Sequence, residues 1–157
     1  MTIFVDTCDL TDVPCDEPGW RANRNILKLI RLMKPIVTSA APAAIGPYSQ
    51  AIEVNGFVYA SGQLPIDPAT GAFPEGGVQE QTRQSLLNVK AILEEAGLTL
   101  ANVVKTTVYL ADMGDFAAMN EIYSQFFSQP FPARSAVAVK ALPKGALVEV
   151  EVIAARG

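Results

Sequence analysis

Two residues in this chain are typed and placed to do chemistry, an arginine and a glutamate. Arg134 follows Phe131-Pro-Ala, and Glu149 lies inside Leu147-Val-Glu-Val-Glu. A charge within a run of valines is costly unless it is paired or used. The guanidinium is a planar fork that meets a carboxylate through two parallel N–H donors. Arg134 therefore suits a carboxylate ligand, and equally a structural ion pair. Glu149 suits a base or a holder of water, but the pattern alone favours an ordinary exposed strand position. The sequence has no histidine, which excludes Ser/His/Asp and Cys/His sets. Acid–base work falls to carboxylates, hydroxyls and arginine.

Three further stretches carry groups that fit around a small ligand. Gly46-Pro-Tyr48-Ser-Gln precedes the first expected strand, and Ser61-Gly62-Gln63 ends the second. Glycine beside serine lets backbone N–H groups approach a ligand oxygen, although such pairs also occur in ordinary turns. Asn120 lies on an expected helix beside Phe116 and Tyr123, where it bonds either backbone or ligand. Other chemistries find no support. Cys8 and Cys15, the only cysteines, are spaced for neither a zinc knuckle nor a redox pair. No metal-ligand cluster is visible, and Gly71, Gly76 and Gly77 lack the lysine of a phosphate loop.

The elements that position these groups follow from periodicity. Ala51-Ile-Glu-Val, Asn55-Gly56 and Phe57-Val-Tyr-Ala read as a hairpin with a two-residue turn. A Gly- and Pro-rich loop over 65–77 is long enough to be functional. A helix is expected over 78–96, with Leu86, Val89 and Leu93 on one face and Gly97 as its stop. Residues 103–110 read as a strand. Asp112 or Asp115 caps a second helix bearing Phe116, Met119, Tyr123 and Phe127. Strands over 135–142 and 147–154 flank a Pro143-Lys-Gly turn. The order β-β-α-β-α-β-β predicts an α+β domain with both helices on one face of a sheet. The other, half-apolar face predicts association. A simple hairpin at Pro143–Gly145 would set Arg134 opposite Ala154, roughly 15 Å along the sheet from Glu149. The two would then share a small ligand only across a subunit boundary.

Composition narrows the function classes. A length of 157 residues, half of them hydrophobic, suits one domain with a real core. A net charge of −4 argues against nucleic acid as partner. No apolar run reaches the ~18 residues of a membrane span. The start has neither a secretory signal's pattern nor the acid-poor character of a mitochondrial presequence, so a cytoplasmic location is the default. Within residues 1–32, Arg21, Arg24, Lys28 and Arg31 alternate with apolar residues as in a short basic amphipathic helix. A docked or frayed terminus accounts for such a helix better than an anionic membrane surface does, and no membrane partner is expected. Met33 begins Met-Lys-Pro-Ile-Val-Thr and reads as a natural start. Residues 1–32 are thus expected to be a dispensable or non-native extension, and residues 33–157 the working domain.

The stretches Ala41-Pro-Ala-Ala-Ile-Gly-Pro-Tyr-Ser-Gln, Ser61-Gly-Gln, Lys105-Thr-Thr-Val-Tyr-Leu-Ala-Asp-Met, residues 116–120, Pro132-Ala-Arg-Ser and Leu147-Val-Glu-Val-Glu together resemble the Rid family of imine and enamine deaminases. The resemblance spans about Met33 to Arg156 and omits the extension. It implies a chorismate-mutase-like fold and a homotrimer with three sites at subunit interfaces. It further implies hydrolysis of 2-iminobutanoate and 2-iminopropanoate, or their enamine tautomers, to 2-oxo acids and ammonia, without cofactor or metal. By position, Arg134 corresponds to the family's carboxylate-gripping arginine and Glu149 to its water-holding glutamate. Tyr48, Ser61, Gly62 and Asn120 correspond to its remaining pocket positions. Ala136 stands where many members carry cysteine, so a thiol there is not essential. A non-catalytic regulator that binds small carboxylates is the competing reading. The ribonuclease label attached to some relatives sits poorly with an acidic chain that has no histidine.

Overall fold

The computed structural model describes residues 32–157. The extension expected over 1–32 thus lies, but for its last residue, outside the described residues. Six strands form one sheet in the order β1-β2-β3-β6-β4-β5: β1 (Lys34–Ile36), β2 (Ala51–Val54), β3 (Phe57–Gln63), β4 (Val103–Leu110), β5 (Ala133–Ala138) and β6 (Val148–Ala155). Two helices, α1 (Val78–Glu95) and α2 (Phe116–Phe126), follow β3 and β4. The short β1, paired antiparallel with β2, is an addition to the expected β-β-α-β-α-β-β order.

The local rules hold where the chain turns tightly. Asn55 and Gly56 join β2 to β3 with φ of 51° and 78°, the two positive values a two-residue hairpin turn needs. At the start of α1, the Glu80 carboxylate accepts a hydrogen bond from the Gly77 N–H at 2.9 Å, closing that helix end. The Asp112 side chain accepts from the Gly114 N–H at 2.8 Å and caps the single 3-10 turn before α2. Leu86, Val89, Ile92 and Leu93 of α1 are wholly buried against the sheet.

The expected pairing of the last two strands is overturned. β5 does not form a hairpin with β6; it lies at the sheet edge, parallel to β4, with Arg134 opposite Thr106. β6 instead runs between β3 and β4, antiparallel to both. Val148, Val150, Val152 and Ala154 are at most 1% exposed, so the strand with the most continuous apolar face takes the central position. β5 is also shorter than the expected 135–142 and begins earlier, which puts Arg134 inside the strand. After it, Val139 N–H bonds Leu110 O, Ala111 N–H bonds Leu147 O, and the chain crosses β4 to enter β6.

This topology places both helices. β3–α1–β4 and β4–α2–β5 are two crossovers between parallel strands, advancing in the same direction across the sheet. Right-handed crossovers that advance the same way lie on the same face. One face is therefore packed under α1 and α2. The other bears Phe57, Tyr59 and Val137, each at least 40% exposed, among Lys105, Thr107, Tyr109, Glu149 and Glu151. Among the described residues, no helix is long and apolar enough to cross a membrane.

Candidate active site

The candidate residues fall into two groups on opposite faces of the sheet. Arg134 pairs with Thr106, whose side chain is buried under the helices. Glu149 pairs with Tyr109 and projects from the open face. Thr106 pairs in turn with Val152, three residues along β6 from Glu149. At ~3.3 Å per residue and ~4.8 Å per strand, the two α-carbons stand roughly 14 Å apart. The register from which the earlier offset was drawn is wrong, yet the separation survives and the opposed faces strengthen it.

The first group lines a cleft of about 720 Å³. Tyr48, Ser61, Gly62 and Glu149 all border it, together with apolar residues such as Ile45, Leu64 and Ile66. A β-bulge explains how Ser61 and Gly62 reach it. Ala60 pairs with Val152 but Gln63 with Val150, so β3 holds one residue more than β6 across this step, and the bulge re-aims its side chains. The Ser61 hydroxyl donates to Ser49 O at 2.7 Å, and the Ser61 N–H bonds Gln50 O at 2.9 Å. The oxygen keeps its remaining lone-pair capacity for an incoming donor. Gly62 is needed for space. A Cβ there would overlap Glu149 Oε1 and stand 2.8 Å from its Cδ, so the carboxylate lies flat against the bare backbone. Burial pushes the Glu149 carboxyl above the usual range, and the charge of Glu151, two residues along on the same face, adds to it. Tyr48 is 53% exposed, and its hydroxyl accepts from Ile45 N–H at 3.3 Å.

The cleft walls are held by buried amides that the sequence reading passed over. Gln50, 3% exposed, accepts from Thr38 N–H and donates to Thr38 O and Pro42 O. Asn88 donates to Leu64 O and Ile66 O, and Gln81 accepts from Leu147 N–H at 2.8 Å. Leu64 lies two residues after Gly62, and Leu147 two before Glu149, so α1 grips the backbone on both sides of their contact. The available signal was a helix whose buried face contains amides, where simple amphipathicity calls for aliphatics.

The second group is a cage around Arg134. Its guanidinium carbon lies 4.6 Å from the Tyr123 ring centroid and 5.5 Å from that of Phe116. Its Nη1 donates to Asn120 Oδ1 at 2.8 Å. A guanidinium has no acceptor, so this bond fixes the amide's orientation and leaves Asn120 Nδ2 as a free donor. Tyr123 shares a 2.9 Å hydrogen bond with Thr106. Burial pushes the Tyr123 hydroxyl up, while the Thr106 bond and the Arg134 charge pull it back. Arg134 makes no ion pair with a carboxylate among the described residues.

Comparison with known proteins places the chain. Residues 38–156 match the family described as Endoribonuclease L-PSP. A 2-iminobutanoate/2-iminopropanoate deaminase from Capra hircus is 55% identical over 122 residues, covering 78% of this chain and 89% of the relative. The chain belongs to this family, the Rid family. The Rid fold is equally plain in solved structures. RidA from the Antarctic bacterium Psychrobacter sp. PAMC 21119 has a TM-score of 0.76 at 50% identity, covering 78% of this chain and 99% of that one. Escherichia coli TdcF with bound serine has a TM-score of 0.75 at 47% identity, covering 79% and 99%. The two groups of residues described above lie on a Rid domain in which Ala136 is half-buried beside Val108 on the helix-covered face.

Proposed function

We propose that this Rid protein hydrolyses 2-imino acids such as 2-iminobutanoate and 2-iminopropanoate to 2-oxo acids and ammonia. It does so as a homotrimer whose ligand bridges the Arg134 cage of one subunit and the Glu149 cleft of the next. The observation that carries the reading is the division of the site between two sheet faces. A four-carbon ligand cannot span ~14 Å around a sheet edge, but it can lie between faces of adjacent subunits. The open, half-apolar face supplies a surface for that association, and closed cyclic symmetry is the common form of such contacts. The name borne by the Capra hircus relative and the serine held by TdcF support a ligand of this size and class.

The chemistry follows from the two groups. Arg134 and Asn120 Nδ2 offer N–H donors to the substrate carboxylate. Ser61 oxygen accepts from the iminium nitrogen. Glu149 holds a water and takes its proton as the oxygen bonds to C2, while the C=N π pair moves to nitrogen. The resulting carbinolamine has a neutral amine, which receives the proton back from Glu149. Collapse forms C=O and breaks the C–N bond as the regenerated Glu149 carboxylate takes the hydroxyl proton; ammonia leaves, and that proton passes to it or to solvent. A protonated imine is already electrophilic, so orientation and one placed base suffice. The raised affinity of Glu149 for a proton moves it toward neutral pH, where a base is most effective. An acidic chain without histidine gives the endoribonuclease description no comparable apparatus.

The test generates the imines in situ with a threonine or serine dehydratase and traps survivors with semicarbazide. Wild-type protein should suppress the adduct; Arg134→Ala and Glu149→Gln should not. Mixing those two inactive variants as randomly exchanged trimers should restore roughly a quarter of the sites, one half times one half. No recovery in exchanged trimers would refute the shared site. A small-carboxylate regulator on the same fold would bind 2-oxobutanoate yet leave adduct formation unchanged in wild type.

A further inference from the structure

The Arg134 cage contains a residue that the sequence alone assigns only to the core of α2. We infer that Tyr123 is a positioning residue for substrate binding: its ring, fixed by Thr106 and Phe127, sets the plane and reach of the Arg134 guanidinium. The inference rests on the deaminase reading for its substrate but on the cage geometry for its content.

Tyr123 is 6% exposed and held from two sides. Its hydroxyl meets Thr106 Oγ1 at 2.9 Å, and its ring packs on Phe127 with centroids 4.5 Å apart. Thr106 is wholly buried in β4, directly opposite Arg134 in the sheet register. The ring is thus tied to the strand that neighbours the arginine. The guanidinium sits nearer this ring than Phe116, at 4.6 Å against 5.5 Å, within the ~6 Å of a cation–π contact. An arginine with a purely structural task usually meets a carboxylate. This one meets two rings and an amide oxygen, all neutral. Its charge is held in place without being cancelled, and its remaining N–H donors stay available to an anion. Holding a long side chain in its bound geometry removes the ordering cost that the ligand would otherwise have to overcome.

Two substitutions separate positioning from general support of the fold. Tyr123→Phe keeps the ring and its contact with Phe127 but strips Thr106 of its partner. The melting temperature should fall while KM stays within about twofold of wild type. Tyr123→Leu removes the ring. KM for 2-iminobutanoate and the inhibition constant of 2-oxobutanoate should both rise about tenfold, with kcat within about threefold. If Tyr123→Leu does not fold, Tyr123→Met fills the volume without a ring and should show the same rise. Wild-type KM and inhibition constant in the ring-less variant would overturn the inference. So would a KM that tracks melting temperature through both variants. A wild-type protein without imine hydrolysis would instead defeat the deaminase reading. Calorimetric binding of 2-oxobutanoate would then decide the role of Tyr123, since the carboxylate is the group Arg134 recognises.

Discussion

Substituting Gly62 with alanine should disable the enzyme without unfolding it. Gly62 has no positive φ, so its backbone accepts an L side chain without strain. The added methyl would instead meet Glu149, standing 2.8 Å from Cδ and 3.1 Å from Cγ. Carbon atoms in contact settle at about 3.5–4.0 Å, so the carboxyl group must retreat by about 1 Å. A carboxylate is the free end of a flexible side chain, and leaving its rotamer costs about 0.5–1.5 kcal/mol. Stability should therefore fall by no more than about 1.5 kcal/mol. In the proposed mechanism the water aligned by Glu149 would move with it, and a misplacement of ~1 Å costs about 100-fold in rate. The proposed mechanism assigns carboxylate binding to Arg134, on the other sheet face, so KM should change little. The dehydratase-coupled assay with semicarbazide trapping reads kcat, and a thermal melt reads stability. A Gly62→Ala protein with wild-type kcat would show that the position of the Glu149 carboxylate does not control the rate. A collapse in both melting temperature and KM would show that the methyl disturbs the fold instead.

Three further outcomes follow from the same geometry. Because burial and Glu151 raise the Glu149 carboxyl, kcat/KM should fall on the acid side with a midpoint above the ordinary carboxylate value of 4.5; a midpoint at or below it would refute the assignment of that limb to Glu149. The sign for stability is opposite. A carboxyl raised in the fold favours folding below its unfolded pKa and loses that contribution as pH rises through the folded one, so Glu149→Gln should be more stable than wild type at pH 7 and gain nothing at pH 4. Asn88→Leu leaves the Leu64 and Ile66 carbonyls without their 3.0 Å and 2.9 Å donors, which should cost about 2–4 kcal/mol in denaturant unfolding. A loss below about 0.5 kcal/mol would mean that water replaces the amide.

The parts of the molecule legible from sequence are those fixed by local chemistry. Asn55-Gly56, the stop at Gly97 and the apolar rows of both helices each report on a few neighbouring residues, and each stands where the periodicity puts it. The partner of β6 was illegible because it is not a local matter. Pro143-Lys-Gly reads as a hairpin turn, and only competition for the sheet centre decides that the Val148–Ala154 face goes between β3 and β4. The same limit shaped the site. Its residue types were readable, but the sorting of Arg134 and Glu149 onto opposite faces depends on β5 joining β4 in parallel. Phe116 and Tyr123 occupy helix positions that periodicity assigns to the core, and periodicity does not distinguish a ring that fills space from one that holds a cation. What distinguishes them is the neighbour across the sheet, Arg134 beside Thr106. On the proposed reading, a site assembled from two faces takes its chemistry from the sequence and its division from the topology, and that division makes association part of the catalytic apparatus.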